Sequence, residues 1–187
     1  MENLKDIISY EKKIYCDYMF SSTYRYWISF LKKEPTRRIW QYQKVLRKCE
    51  YYHHIKEEKG GLINNLFYLY YIIRLNSLGE KLGIEIGIHA FDKGLLIYHY
   101  GSIVVNCASR IGKNCHLHGD NCIGNDGTGK NNDCPVIGDN VMIGVGAKVI
   151  GKVRIANNIK IAAGAVVVTS FDEEGITIGG IPARKLK

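Results

Sequence analysis

A large apolar residue recurs every six positions between Val105 and Val167, and this spacing limits the possible folds more than any other property of the chain. Val105, Ile111, Leu117 and Ile123 form one register, and Ile137, Ile143, Val149, Ile155, Ile161 and Val167 form a second. The interval from Ile123 to Ile137 is fourteen residues, one hexad plus an insertion of eight. A period of six fits neither the 3.6 of an amphipathic helix nor the alternation of a half-buried strand, so it marks an internal repeat. A solenoid satisfies it: each short strand points its hexad residue inward, a turn follows, and burial is complete only when the next coil stacks on it. Gly112, Gly124, Gly138 and Gly144 directly follow hexad residues. Ser109, Cys115, Val141, Ala147, Val153 and Ala165 stand two before one, on the same strand face. Asn114, Asn140 and Asn158 stand three after one, where a corner suits a residue that tolerates positive φ. Asn140 and Asn158 are eighteen apart, so three hexads make one coil.

The segments Ile137-Gly-Asp-Asn-Val-Met-Ile-Gly-Val-Gly-Ala-Lys-Val-Ile-Gly151 and Gly179-Gly-Ile-Pro-Ala-Arg184 resemble the hexapeptide-repeat acyltransferases. Within that family the chain is similar to serine acetyltransferases and, more closely, to the serine-acetyltransferase-like O-acetyltransferases of surface-polysaccharide gene clusters. The resemblance covers about residues 83 to 187. It implies an α+β chain in which an N-terminal α-helical region, residues 1–82, is followed by a left-handed parallel β-helix, residues 83–187, with a loop insertion at about 124–134. The left hand is an exception to the right-handed crossover rule and follows from the resemblance alone. A homotrimer is implied in the same way.

Before residue 83 the pattern is helical. Leu4, Ile7, Ile8, Ile14, Tyr15 and Tyr18 give one stripe, and Tyr24, Trp27, Ile28 and Leu31 another. Pro35-Thr36 marks a boundary, with Thr36 placed to cap a helix carrying Ile39, Trp40, Leu46 and Cys49 inward. Gly60-Gly61 ends it, and a fourth helix runs from about Leu62 to Leu78. The net charge of +8 is concentrated here: residues 1–83 carry 15 basic and 9 acidic side chains, residues 84–187 carry 11 and 9. Acids are mixed among the bases, which reads as a solvated helix surface. Eleven of the thirteen tyrosines also precede residue 83, so a membrane surface or a nucleic-acid platform has to be weighed. No nucleic-acid motif supports the second, and aromatics at helical spacing are more often packed against the solenoid or a partner helix. No run is long enough to span a membrane, and Met-Glu-Asn-Leu-Lys-Asp lacks the layout of a signal peptide, giving a cytoplasmic expectation. The six scattered cysteines then read as free thiols. Cys115-His-Leu-His118 with Cys122 raises a zinc site, but Cys115 falls on an inward solenoid position, so no metal is expected.

The resemblance also implies the chemistry. Acetyl transfer from a thioester to a hydroxyl needs a base, donors for the developing oxyanion, and a groove for the thioester. Six histidines are present. His53 and His54 lie on a polar helix end and read as surface; His89 has no motif, and His116 and His118 flank Leu117. His99, in Tyr98-His-Tyr-Gly-Ser-Ile-Val-Val, aligns with the family's catalytic histidine, although by periodicity alone it is an outward solenoid residue. Glu85 is the nearest match to the acid that orients that histidine, with Asp92 as the alternative. Within Gly124-Asn-Asp-Gly-Thr-Gly-Lys-Asn-Asn-Asp-Cys134, Gly127 and Thr128 match positions that contact coenzyme A. Gly144, Val145, Ala162 and Ala163 are small enough for pantetheine to lie against the coil, and Arg184 with the C-terminal lysines can meet its phosphates.

Two departures separate the chain from serine acetyltransferases. Their Arg-His before the proline matching Pro135 is Asp133-Cys134 here, and the Asp before their catalytic histidine is Tyr98. Both remove groups that would recognise a small amino acid. The sequence therefore reads as an acetyl-CoA-dependent O-acetyltransferase acting on a sugar or polysaccharide-precursor hydroxyl. A serine O-acetyltransferase of cysteine biosynthesis is the alternative, and a non-catalytic trimeric binding scaffold a third reading.

Overall fold

The computed structural model describes residues 3–20, 22–32, 34–127 and 133–186. The chain divides into two compact units, Met1–Ile84 and Glu85–Lys187.

The first unit is helical: α1 (Leu4–Tyr15) continues into a π-helical turn (Cys16–Phe20), followed by α2 (Thr23–Leu31), α3 (Pro35–Lys59) and α4 (Leu62–Leu82). As expected from their spacing, Ile39, Trp40, Leu46 and Cys49 are buried on α3. Thr36 does not cap this helix. Glu34 is the cap residue and Pro35 takes the first helical position, where its fixed φ suits the turn and its missing N–H costs nothing. Likewise α4 runs past Leu78 to Leu82, ending at Gly83 in a left-handed conformation. The stripe on α2 does not point into a core: Tyr24, Trp27 and Leu31 are 73%, 62% and 83% exposed. His53 and His54 are half-buried rather than on the open surface. His54 pairs with Glu58 at 3.0 Å, and the His53 ring lies 5.2 Å from Tyr68. Part of the aromatic content packs α3 on α4, where Tyr52 stacks on Phe67 at 5.0 Å and on Tyr71 at 5.1 Å. Between α1 and α3 lies a buried ionic triad. Arg47 donates to Glu11 at 2.7 and 3.0 Å and to Glu50 at 2.9 Å. Burial alone would lower the pKa of the guanidinium; the charges of Glu50 and Glu11 outweigh it and hold the pKa above the usual value.

The second unit is a three-sided parallel coil. Its strands in chain order are β1 (Ile84–Ile86), β2 (Leu96–Ile97), β3 (Ile103–Val105), β4 (Arg110–Ile111), β5 (His116–Leu117), β6 (Cys122–Gly124), β7 (Val136–Ile137), β8 (Met142–Ile143), β9 (Lys148–Ile150), β10 (Arg154–Ile155), β11 (Lys160–Ile161), β12 (Val166–Val167), β13 (Thr177–Gly180) and β14 (Ala183–Lys185). They form a five-stranded sheet (β1-β3-β6-β9-β12), a three-stranded sheet (β4-β7-β10) and a six-stranded sheet (β2-β5-β8-β11-β13-β14). From β2 to β12 strands three apart in the chain pair in parallel, and Ile143↔Ile161 and Val149↔Val167 are eighteen residues apart, the length read from the hexads. All ten hexad residues are buried. Asn114, Asn140 and Asn158 take φ of 54°, 56° and 61°, and their side chains join into a ladder with bonds of 3.1 Å at each step. Across the insertion the offset rises to twenty-six, as at Leu117↔Ile143, so the eight extra residues do not shift the register of the coil. β14 runs antiparallel to β13.

Candidate functional site

Four loops stack at the corner where the chain passes from the six-stranded to the five-stranded sheet: residues 98–102, 118–121, 144–147 and 162–165. Backbone bonds tie each to the next, from Asp120 N–H to Gly101 O at 3.3 Å, Gly146 N–H to Gly119 O at 3.0 Å, and Gly164 N–H to Val145 O at 2.8 Å. Gly101, Ser102, Gly119, Asp120, Gly146 and Gly164 all have positive φ, as so sharp a corner demands.

The uppermost loop is longer than the others. Paired residues are twenty apart at Ile97↔Leu117 but eighteen apart at Val104↔Cys122. Tyr98 N–H bonds Leu117 O on one side and Asp120 N–H bonds Gly101 O on the other, so the two surplus residues are His99 and Tyr100. Both are exposed. Glycine at position 119 permits the bulge to sit down on the coil, since a Cβ there would lie 3.2 Å from that of His99. Beneath it, fully buried Asn121 fixes the corner. Its Oδ1 accepts from Gly119 N–H at 3.0 Å, and its Nδ2 donates to the carbonyls of Gly144 at 2.8 Å and Ala147 at 3.3 Å. Sequence reasoning passed over Asn121, although an amide side chain two before a hexad position, where the other coils mostly bury small or apolar residues, was a legible signal.

The Tyr98 ring stacks on His118 at 4.3 Å with 13° between planes and tilts against His116 at 5.8 Å. Burial, and then the charge of His118, hold the His116 pKa below its usual value; burial, and then the charge of His99, do the same to His118. As the pH falls below about 6.5, the unfolded chain binds these protons before the folded chain does. The stability contributed by neutral His116 and His118 is therefore complete above that value and is lost toward their lower folded values. Thermal unfolding of the full chain should show a lower Tm for the coil at about pH 5.5 than at about pH 7.5, and the double substitution His116→Gln, His118→Gln should shrink that difference. Equal differences in both proteins would contradict this account.

Gly144 and Val145 lie directly beside Ala162 and Ala163 in the next coil of the same corner. A Cβ at Gly144 would fall 2.6 Å from Ala163 N, so the close approach of the two coils requires glycine there. Val145 and Ala163 are exposed, giving a smooth strip below His99. Glu85 is exposed on β1, the edge strand of the five-stranded sheet that the His99 loop enters, and shares no hydrogen bond with His99. Asp92 follows the Phe91↔Ile111 bridge on the three-stranded side, at a different corner. Gly127, in the insertion between β6 and β7, also leaves from another corner, and Thr128 lies outside the described residues. Arg184 is exposed on β14. Asp133 pairs with Lys152 at 3.7 Å where the insertion rejoins the coil. Burial pushes the Cys115 thiol up to about 12, and it donates to Gly138 O at 3.3 Å, leaving it a poor metal ligand. Among the described residues no group of three or more His, Cys, Asp or Glu side chains is arranged to hold a metal ion, and no helix is long and apolar enough to cross a membrane.

No family model matches the chain. It is similar to the serine acetyltransferase of Staphylococcus xylosus, 34% identical over 121 residues that make up 63% of this chain and 56% of that protein. The chain spans about half the length of the curated relatives it matches. Its fold is similar to the crystal structure of serine acetyltransferase from Neisseria gonorrhoeae, with a TM-score of 0.76 and 25% identity, covering 98% of this chain and 66% of that one. It is also similar to serine acetyltransferase from Brucella abortus strain S19 in complex with coenzyme A, with a TM-score of 0.74 and 21% identity, covering 97% and 67%. Helices followed by parallel β-sheets are thus the shared architecture.

Proposed function

We propose that the chain is an acetyl-CoA-dependent O-acetyltransferase of the hexapeptide-repeat kind, with residues 83–187 as its left-handed β-helix catalytic domain. The observation that carries this reading is the single corner on which an exposed histidine, His99, stands above a strip of small residues, Gly144, Val145, Ala162 and Ala163. A base and a groove for a thioester are the two parts that acetyl transfer to a hydroxyl needs first. His99 removes the acceptor's hydroxyl proton as the oxygen forms a bond to the thioester carbonyl carbon. A backbone amide holds the oxyanion, the C–S bond then breaks, and the proton passes from the imidazolium to the departing thiolate. Glu85 rather than Asp92 is the orienting carboxylate in this scheme, because β1 borders the sheet that the His99 loop enters whereas Asp92 turns a different corner. Gly127 leaves from another corner of the same chain, so it and Thr128 are assigned to this groove from a neighbouring subunit, and a homotrimer belongs to the proposal. Arg184 would meet the phosphates of coenzyme A.

For the acceptor, the comparisons favour serine over the sugar expected from the sequence, since the similar proteins are named serine acetyltransferases. A sugar hydroxyl stands as a second reading on two specific observations. Tyr98 occupies a ring stack where those enzymes carry an aspartate, and Asp133, in place of their arginine, pairs with Lys152. Release of coenzyme A from acetyl-CoA, measured with L-serine and with a panel of sugars, separates the two. Turnover with L-serine supports the first, and turnover with sugars alone overturns it. Calorimetry that detected no binding of acetyl-CoA would overturn both and leave a binding scaffold.

A further inference from the structure

The two upper corners of the stack turn differently from the two lower ones. In each upper corner two successive residues take positive φ, Gly101 and Ser102 at 103° and 40°, Gly119 and Asp120 at 113° and 53°. In each lower corner one residue does, Gly146 at 73° and Gly164 at 68°. A backbone bond closes each of those lower turns, from Ala147 N–H to Gly144 O at 3.1 Å and from Ala165 N–H to Ala162 O at 3.2 Å. His99 stands on the first kind of corner, and the strip of small residues lies on the second.

Asn121 sits where the two kinds meet. The register sets it in line with Ala147 and Ala165, which hold the same inward position in the next two coils and are, like it, fully buried. Where those coils have a methyl group, Asn121 has an amide. Its Oδ1 takes the Gly119 N–H at 3.0 Å, and the two protons of its Nδ2 go to Gly144 O at 2.8 Å and Ala147 O at 3.3 Å. Main-chain bonds alone join these layers less fully: Gly146 N–H to Gly119 O at 3.0 Å, and a long contact from Cys122 N–H to Ala147 O at 3.4 Å. Gly119 in turn carries the His99 backbone, since a Cβ added there would lie 3.2 Å from that of His99. The path from the base to the strip is therefore short: His99 on Gly119, Gly119 on Asn121, and Asn121 on Gly144.

We propose that Asn121 is a positioning residue for acetyl transfer, setting through Gly119 the height of the His99 loop above Gly144. That height is the separation between the imidazole and a thioester lying on the strip. The clamp itself is a property of the folded coil; its kinetic consequence rests on the reading of His99 as the base and of the strip as the groove. A base misplaced by about 1 Å loses on the order of 10²-fold in rate, although the residues of the groove are untouched.

Asn121→Ala gives this corner the side chain with which the two corners below it fold, so the coil should persist. On the full chain, hydrogen exchange at the Gly119 amide, followed by NMR, should be slow in the wild type and faster in the variant. With acetyl-CoA and whichever of L-serine or the sugars supports turnover, kcat should fall by about 10–10²-fold while the KM for acetyl-CoA stays within about twofold. Gly119→Ala, which sets a methyl group against His99, should show the same split. The two changes together should cost less than the product of their separate effects, because both act through one loop. Wild-type kcat in Asn121→Ala overturns the proposal. So does a fall in kcat matched by a rise in the KM for acetyl-CoA, or one accounted for by a lost folded fraction in thermal melting. A wild-type chain that transfers acetyl to no acceptor overturns the enzymatic reading and the positioning role with it, and exchange at the Gly119 amide then decides the clamp alone: protection lost in Asn121→Ala upholds it, and equal exchange in both proteins removes it.

Discussion

Replacing His99 by alanine is expected to lower kcat for acetyl transfer by roughly 10²–10⁴-fold, the usual contribution of a positioned general base. Acetyl-CoA affinity should change little, because the strip formed by Gly144, Val145, Ala162 and Ala163 lies in the coils below and His99 is exposed in its own two-residue bulge. Calorimetry with acetyl-CoA and initial rates of coenzyme A release separate these effects. A fall in affinity matching the fall in rate would mean that His99 binds the thioester rather than activates the acceptor. Full activity in the variant, or a covalent acetyl-enzyme trapped during turnover, would remove His99 from the mechanism altogether.

The second large effect belongs to the helical unit. Arg47→Met should destabilise it by about 3–5 kcal/mol, because Glu11 and Glu50 are then left buried with no cation between them. For a unit of this size that corresponds to a fall in Tm of on the order of 15 °C or more. Circular dichroism at the helical band against temperature reads it directly. The triple change Glu11→Leu, Arg47→Met, Glu50→Leu should recover most of the loss, since a buried triad and an apolar replacement of similar volume differ little in stability. If Arg47→Met unfolds at the wild-type temperature, water reaches the triad and its burial is not what makes it matter.

Much of the coil was readable before any coordinates, for a physical reason. A solenoid repeats one local problem, burying a side chain on each short strand and turning each corner, so Ile143 and Asn140 meet the same demands as Ile161 and Asn158. The same repetition placed Gly144 beside Ala162. It failed at the first coil, where two surplus residues change the offset. A reader counting in sixes could not see that His99 stands over Gly119, or that Tyr98 falls on His118. Asn121 was missed because its role comes from three backbone groups, two of them 23 and 26 residues away. On the helices the limits were different. Periodicity assigns Tyr24, Trp27 and Leu31 to one face without saying whether anything covers it. Thr36 has the chemistry of a cap, but Pro35 starts the helix a residue earlier and takes Thr36 into its first turn.

The antiparallel pairing of β14 has a consequence for the molecule among its own copies. A parallel coil ending on a flat strand would present the row of amides and carbonyls on which the next coil could be laid, and nothing would require that coil to come from the same chain. β14 doubles back along β13, with Arg184 and Lys185 both exposed and Lys185 paired to Glu173 at 2.6 Å. A second molecule arriving end-on meets a strand running the wrong way. The reversal blunts the edge on which a coil of another copy could otherwise be laid.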